Sequence, residues 1–135
     1  DVYKRQVQTD QSFRRAISWY KKAVKTASNN IDEASDEIIN EVAWILATTS
    51  DKSLKRERYA LRIIKKRMQD STLAREKPEF LDTWAAALAA NGQFEKAIEI
   101  QNRAISKAAE QARDDVLQIL EKHLKSFKLN QPVTE

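Results

Sequence analysis

Few residues in this chain could carry out chemistry. His123 is the only histidine and cysteine is absent. No thiolate or mixed Cys/His metal set can therefore be assembled, and a Ser-His-Asp arrangement would have a single candidate base. His123 lies one residue from Leu124, beside the apolar stripe of its helix, where a partly exposed structural histidine is expected. Acids at Asp32, Glu33, Asp36 and Glu37 stand at helical spacing, as metal-binding or acid/base carboxylates would. No histidine accompanies them, and a helix N-terminus selects acids for its dipole, so capping is their expected role. One glycine cannot build a phosphate-cradling loop. The expectation is a protein that is no enzyme and uses no cofactor and no metal.

Charge gives a second possibility. Lys52, Lys55, Arg56, Arg58, Arg62, Lys65, Lys66 and Arg67 crowd one segment, joined by Arg14, Arg15, Lys21, Lys22 and Lys25 upstream. Basic stripes neutralise phosphates, and such binding weakens steeply with salt. Against this, 24 basic residues face 20 acidic ones, leaving a net charge of only +4. A solvated helix face is therefore the plainer reading of 52–67. Polyanion binding without sequence choice, through Lys55, Arg58, Arg62, Lys65 and Lys66, is the alternative.

These side chains must be positioned by helices. Ala, Leu, Ile, Lys, Glu, Arg and Gln dominate a chain of 135 residues with one Gly and two Pro, which favours an all-α domain over any sheet. The apolar runs fall well short of the roughly 20 residues that a membrane span needs. A soluble protein without a membrane span is expected, cytoplasmic or periplasmic. The three-and-four spacing of apolar residues predicts helices over about 10–28, 31–48, 53–69, 79–91, 93–110 and 114–128. Asp10 caps the first. Asn30 and Glu33 have the capping-box pattern for the second, Pro78 suits the first turn of the fourth, and Gly92 suits a left-handed residue that closes it. Residues 70–77 read as a loop and 129–135 as a tail. Residues 1–9 form a leader whose opening, Asp1 to Gln6, resembles translated adapter DNA as much as a genuine turn, and no function attaches to it. With no initiating Met, the chain is expected to be the C-terminal portion of a larger protein.

Phe13, Ala16, Ile17, Tyr20, Ala23, Val24 and Ala27 recur as Phe94, Ala97, Ile98, Gln101, Ala104, Ile105 and Ala108 at one constant offset. Self-similarity of this grain marks a helical repeat array. Leu81, Trp84, Ala85, Leu88, Gly92, Phe94, Ala97, Gln101 and Ala104 resemble one whole tetratricopeptide repeat. Ile39, Val42, Ala43, Leu46, Ala60 and Ile64 resemble the repeat before it, and Phe13, Ala16, Tyr20 and Ala23 resemble helix B of an earlier one. Asn40, Ala43, Trp44, Leu46, Ala47 and Thr48, with the later Leu81-Asp82-Thr83, are similar to a bacterial subgroup of the family. Two departures stand out. The spacings Ala16 to Ala60 and Ala60 to Ala97 exceed the roughly 34-residue period, and Arg67 stands where the other B helices have Ala23 and Ala104.

The resemblance implies antiparallel helical hairpins stacked as a short right-handed solenoid, with a C-terminal capping helix. It further implies a non-catalytic scaffold that binds a peptide or partner protein on a concave face. The concave positions would be Glu37, Asn40, Trp44, Ala47, Thr48, Asp82, Ala86 and Ala89. Trp44 would be either an accessible anchor or a ring packed on the preceding hairpin. Chaperone-binding members grip a terminal carboxylate with lysines, asparagines and an arginine. Only Asn40 falls in a comparable place, so acidic chaperone tails are not the expected ligand. The face around Phe13, Trp19 and Tyr20 would favour self-association if left uncovered.

Overall fold

A computed structural model describes residues 34–135 together with Ser18. The leader 1–9, the helix expected over 10–28, the Asn30 capping box and the face around Phe13, Trp19 and Tyr20 lie outside the described residues. Among the described residues every regular element is a helix: α1 (Asp36–Thr48), α2 (Glu57–Asp70), α3 (Thr72–Arg75), α4 (Pro78–Ala90), α5 (Phe94–Glu110) and α6 (Asp114–Lys128). None is long and apolar enough to cross a membrane.

Local chemistry sets the helix bounds. α1 starts at Asp36, later than the expected 31, because the Ser35 hydroxyl accepts from the Ile38 amide at 3.3 Å. That satisfies one of the donors left free at a helix start. α2 starts at Glu57, not at 53, since Asp51 organises a separate turn. Its carboxylate accepts from the Ser53 amide and hydroxyl, and its carbonyl accepts from the Leu54 and Lys55 amides. The segment read as a loop over 70–77 holds α3, whose Ser71 cap accepts from the Ala74 amide.

Three helix ends share one closure. After α4, α5 and α6 the chain turns through a left-handed residue, Gly92 (φ 77°), Ala112 (φ 54°) and Asn130 (φ 55°). At each, the next amide bonds back five residues: Gln93 to Leu88, Arg113 to Ala108, and Gln131 to Ser126. This is the Schellman arrangement, in which Gly is favoured because it lacks a Cβ.

α4 is the central element and packs against α1, α2, α3, α5 and α6. A helix surrounded in this way is apolar nearly all round, and Leu81, Ala85, Ala86, Ala87, Leu88 and Ala89 are all buried. Its alanines let neighbours approach closely. Ile39, Val42 and Leu46 of α1, Ile63, Ile64 and Met68 of α2, Ile100 and Ala104 of α5, and Leu120 and Phe127 of α6 complete the core.

Arg67, the departure from the repeat pattern, is used at a joint. Its Nη1 bonds to Asp36 Oδ1 and to the Ala34 carbonyl, each at 2.8 Å, and Ser71 Oγ donates to Asp36 Oδ2 at 2.9 Å. The side chain that breaks the small-residue rule thus ties the start of α1 to the end of α2. The Arg67 guanidinium, followed by the Ser71 hydroxyl, holds the Asp36 carboxyl below its ordinary value against the opposing effect of burial.

Two outcomes are expected. Ala112→Gly should raise unfolding free energy by about 0.5–1 kcal/mol, since it relieves a left-handed alanine; urea denaturation measures this. Asp36 has a folded pKa below its unfolded one, so its contribution is complete above the unfolded value of about 3.9 and fades as pH falls through the folded value. The stability gap between the parent chain and Asp36→Ala should therefore close at acid pH in the same assay.

Candidate functional site

α1 ends in an extended residue, Thr49 (φ −60°, ψ 139°). Leaving a helix this way presents the Thr48 carbonyl and the Ser50 amide as a short length of strand edge. The Thr48 carbonyl is also among the last four of α1, which have no partner inside a helix. Residues 129–135 come back from α6 and fill this edge. The Glu135 amide donates to Thr48 O at 2.7 Å, and the Ser50 amide donates to Glu135 O at 2.8 Å. One residue bonded to both neighbours of Thr49 is the pattern of a parallel strand pair. The Glu135 carboxylate accepts from Trp44 Nε1 at 2.9 Å, and Val133 packs half-buried against the core. Glu135 itself stays exposed.

Beneath the tail lies a buried polar cluster. Asp82 of α4 is fully buried, and its Oδ1 accepts from Gln101 Nε2 of α5 at 2.9 Å and pairs with His123 Nδ1 of α6 at 2.9 Å. The second Gln101 amide proton goes to the Leu120 carbonyl, also at 2.9 Å. With an ionised Asp82 the imidazole carries its proton on Nδ1. The His123 ring lies 5.6 Å from the Trp44 ring, centre to centre. Tail, indole, imidazole and carboxylate therefore form one connected line from the surface to the middle of α4.

The residues expected on the inner face divide into two groups. Asn40, Trp44, Ala47, Thr48, Asp82, Ala86 and Ala89 are buried, whereas Glu37 is exposed and pairs with Lys77 at 3.0 Å. Of the two alternatives for Trp44, the accessible anchor is not what the structure shows: the ring is 1% exposed, with the tail at its indole nitrogen and the His123 ring tilted beside it. Ala86 and Ala89, expected on the concave face, are likewise covered. His123, expected to be partly exposed, is also buried, because it is the donor that Asp82 requires. Thr48 is held by its own helix, its hydroxyl donating to Trp44 O at 2.7 Å.

Ser50, Gln101 and Glu135 were not among the expected site residues. Gln101 did carry a signal, since it is a polar residue at the apolar slot that Tyr20 fills in the earlier copy. Nothing in the local pattern marks Ser50 or Glu135. On α2, Arg58, Arg62, Lys65 and Lys66 are exposed, and Lys55, ahead of the helix, is half-buried. Arg62 lies 5.0 Å from the centre of the Tyr59 ring, and Lys66 helps line a hollow of about 240 Å³ with Asp36, Arg67 and Asp70. No group of three or more His, Cys, Asp or Glu side chains suited to a metal ion occurs among the described residues.

Compared with protein-family models, with curated proteins and with solved structures, the chain matches none. Chemically, the site can hold an extended backbone and a carboxylate.

Asp82→Ala leaves the Gln101 amide and the His123 Nδ1 proton without their acceptor in a dry interior. A loss of about 3 kcal/mol in unfolding free energy is expected, as when one partner of a buried pair is removed. Chemical denaturation followed by circular dichroism measures it, and a loss under about 1 kcal/mol would refute the role given to Asp82.

Proposed function

We propose that this chain is a non-catalytic interaction domain of the tetratricopeptide-like kind. In this reading α1 with α2, and α4 with α5, act as successive helical hairpins stacked in a right-handed solenoid, and α6 closes the stack. The inner face is made by α1, α4 and α6, and it docks a peptide or a segment of a partner protein. The observation that carries the reading is the seating of an extended segment on this face by its main chain, at Thr48 and Ser50. Main-chain pairing supplies affinity that does not depend on sequence, and flanking side-chain contacts add choice. The recurrence of the Phe13 segment at Phe94 supports the repeat assignment, and the covered alanines of α4 support close stacking of neighbouring helices.

The second reading, polyanion binding, draws on the exposed Arg58, Arg62, Lys65 and Lys66 of α2. Its affinity for RNA or DNA would fall steeply with added salt.

Peptides selected from a random display library on the full chain test the main reading. On adding a selected peptide, amide and indole resonances of Asn40, Trp44, Thr48 and Ser50 are expected to shift, while those of Arg58, Arg62 and Lys65 stay in place. Selection of no peptide, or shifts confined to α2, would sink it. Salt-dependent RNA binding in fluorescence polarisation would favour the second reading.

A further inference from the structure

The segment 131–135 is held at few points. Gln131, Pro132, Thr134 and Glu135 are exposed, and only Val133 is partly withdrawn from water. Glu135 makes every hydrogen bond that joins the tail to α1 and the Thr48 to Ser50 edge: its amide to Thr48 O, its carbonyl from Ser50 N, and its carboxylate from Trp44 Nε1. In an extended chain, residues two apart face the same way, so Val133 and Glu135 face the wall while Thr134 faces solvent. Pro132 restricts the backbone just before them and lowers the entropy lost on seating.

On the wall, Trp44 is 1% exposed with the tail in place and its indole N–H donates to Glu135. Thr48 is buried and Ser50 is exposed, so water or another extended backbone can take up the bonds that Glu135 gives up when the tail leaves. The tail is tethered through a short exposed stretch starting at Leu129, which is 69% exposed. A weakly held, tethered segment behaves as an intramolecular competitor with an effective concentration in the millimolar range.

We infer that Val133-Thr134-Glu135 is an exchangeable stand-in for a partner segment of the same chemistry: an extended peptide with a branched aliphatic residue two positions before a glutamate. This rests on the inner-face reading above and specifies its ligand. The aliphatic side chain takes the half-buried place of Val133, the carboxylate accepts the Trp44 indole N–H, the Thr48 carbonyl accepts from the segment's backbone amide, and the Ser50 amide donates to its backbone oxygen. Release of the tail and entry of the partner are one exchange at one edge. The glutamate is recognised by an indole and two backbone groups, without a lysine clamp.

The test uses the full chain, intact and as the double variant Val133→Asp, Glu135→Ala. Both changes lie in the tail, outside the helical core. The probe is the synthetic peptide acetyl-Asn-Gln-Pro-Val-Thr-Glu-amide, followed by the Trp44 indole and Ser50 amide resonances. The double variant is expected to bind it about tenfold more tightly than the intact chain, the scale of one lost intramolecular hydrogen bond plus part of a valine. A peptide with Asp for Val and Ala for Glu should bind at least several-fold more weakly. The single variant Glu135→Gln, which keeps an acceptor for the indole, should resemble the intact chain. Equal affinity of intact and double-variant chains, or no shift at Trp44 and Ser50, overturns the proposal. If library-selected peptides still bind the inner face in that event, the interaction-domain reading stands and only the tail's role falls; if they do not, both fall.

Discussion

The arrangement depends on one buried carboxylate. Asp82 sits in the middle of the most enclosed helix, with donors drawn from α5 and α6. An isolated charge there would cost several kcal/mol. It is tolerated because Gln101 and His123 present protons to the same oxygen and Gln101 also ties itself to the Leu120 carbonyl. The cluster therefore works as a register device. Apolar contacts alone are non-directional, whereas the His123–Asp82 pair requires one placement of α6 on α4. Asp82 Oδ2 and Gln101 Oε1 are buried without a protein partner among the described residues. A network with open valences of this kind sets geometry more than it adds stability.

The placement of the candidate site follows from where that puts His123. Its ring meets Trp44, which belongs to α1, so helices packed on α4 from two directions touch through these aromatic side chains. Trp44 is then held with its indole nitrogen toward the end of α1, where the Thr48 carbonyl and the Ser50 amide, unused by any helix, pair with Glu135. The result is a site made of directional groups: one indole donor, one backbone donor and one backbone acceptor. Such a set favours an extended segment, since a helix has already used its own backbone groups.

The joints between helices show a different use of charge. Arg67 with Asp36, Lys77 with Glu37, Lys107 with Glu76 and Arg113 with Glu79 each link residues of different elements or connecting segments. Most are partly or largely exposed and contribute little individually. The Arg67 pair differs in being mostly withdrawn from solvent and in sharing Asp36 with Ser71. It joins the start of α1 to the end of α2. A longer connection then fits between α2 and α4, with α3 inside it.

The sequence determined much about this protein by itself. Periodic apolar residues announced helices at α1, α2, α4, α5 and α6, because burial of one face is a local property of spacing. Pro78 and Gly92 marked the bounds of α4, because their backbone limits are intrinsic. Ala112 and Asn130 gave no such notice, since an alanine in a left-handed turn is held there by the helices it joins. Asn40, Trp44, Thr48 and Asp82 could be placed together on inner positions, yet their exposure could not be read. Tertiary structure decided that. A distant histidine and a distant glutamate come to Trp44 only when α6 docks, and contacts between residues far apart in the chain leave no periodic trace in it.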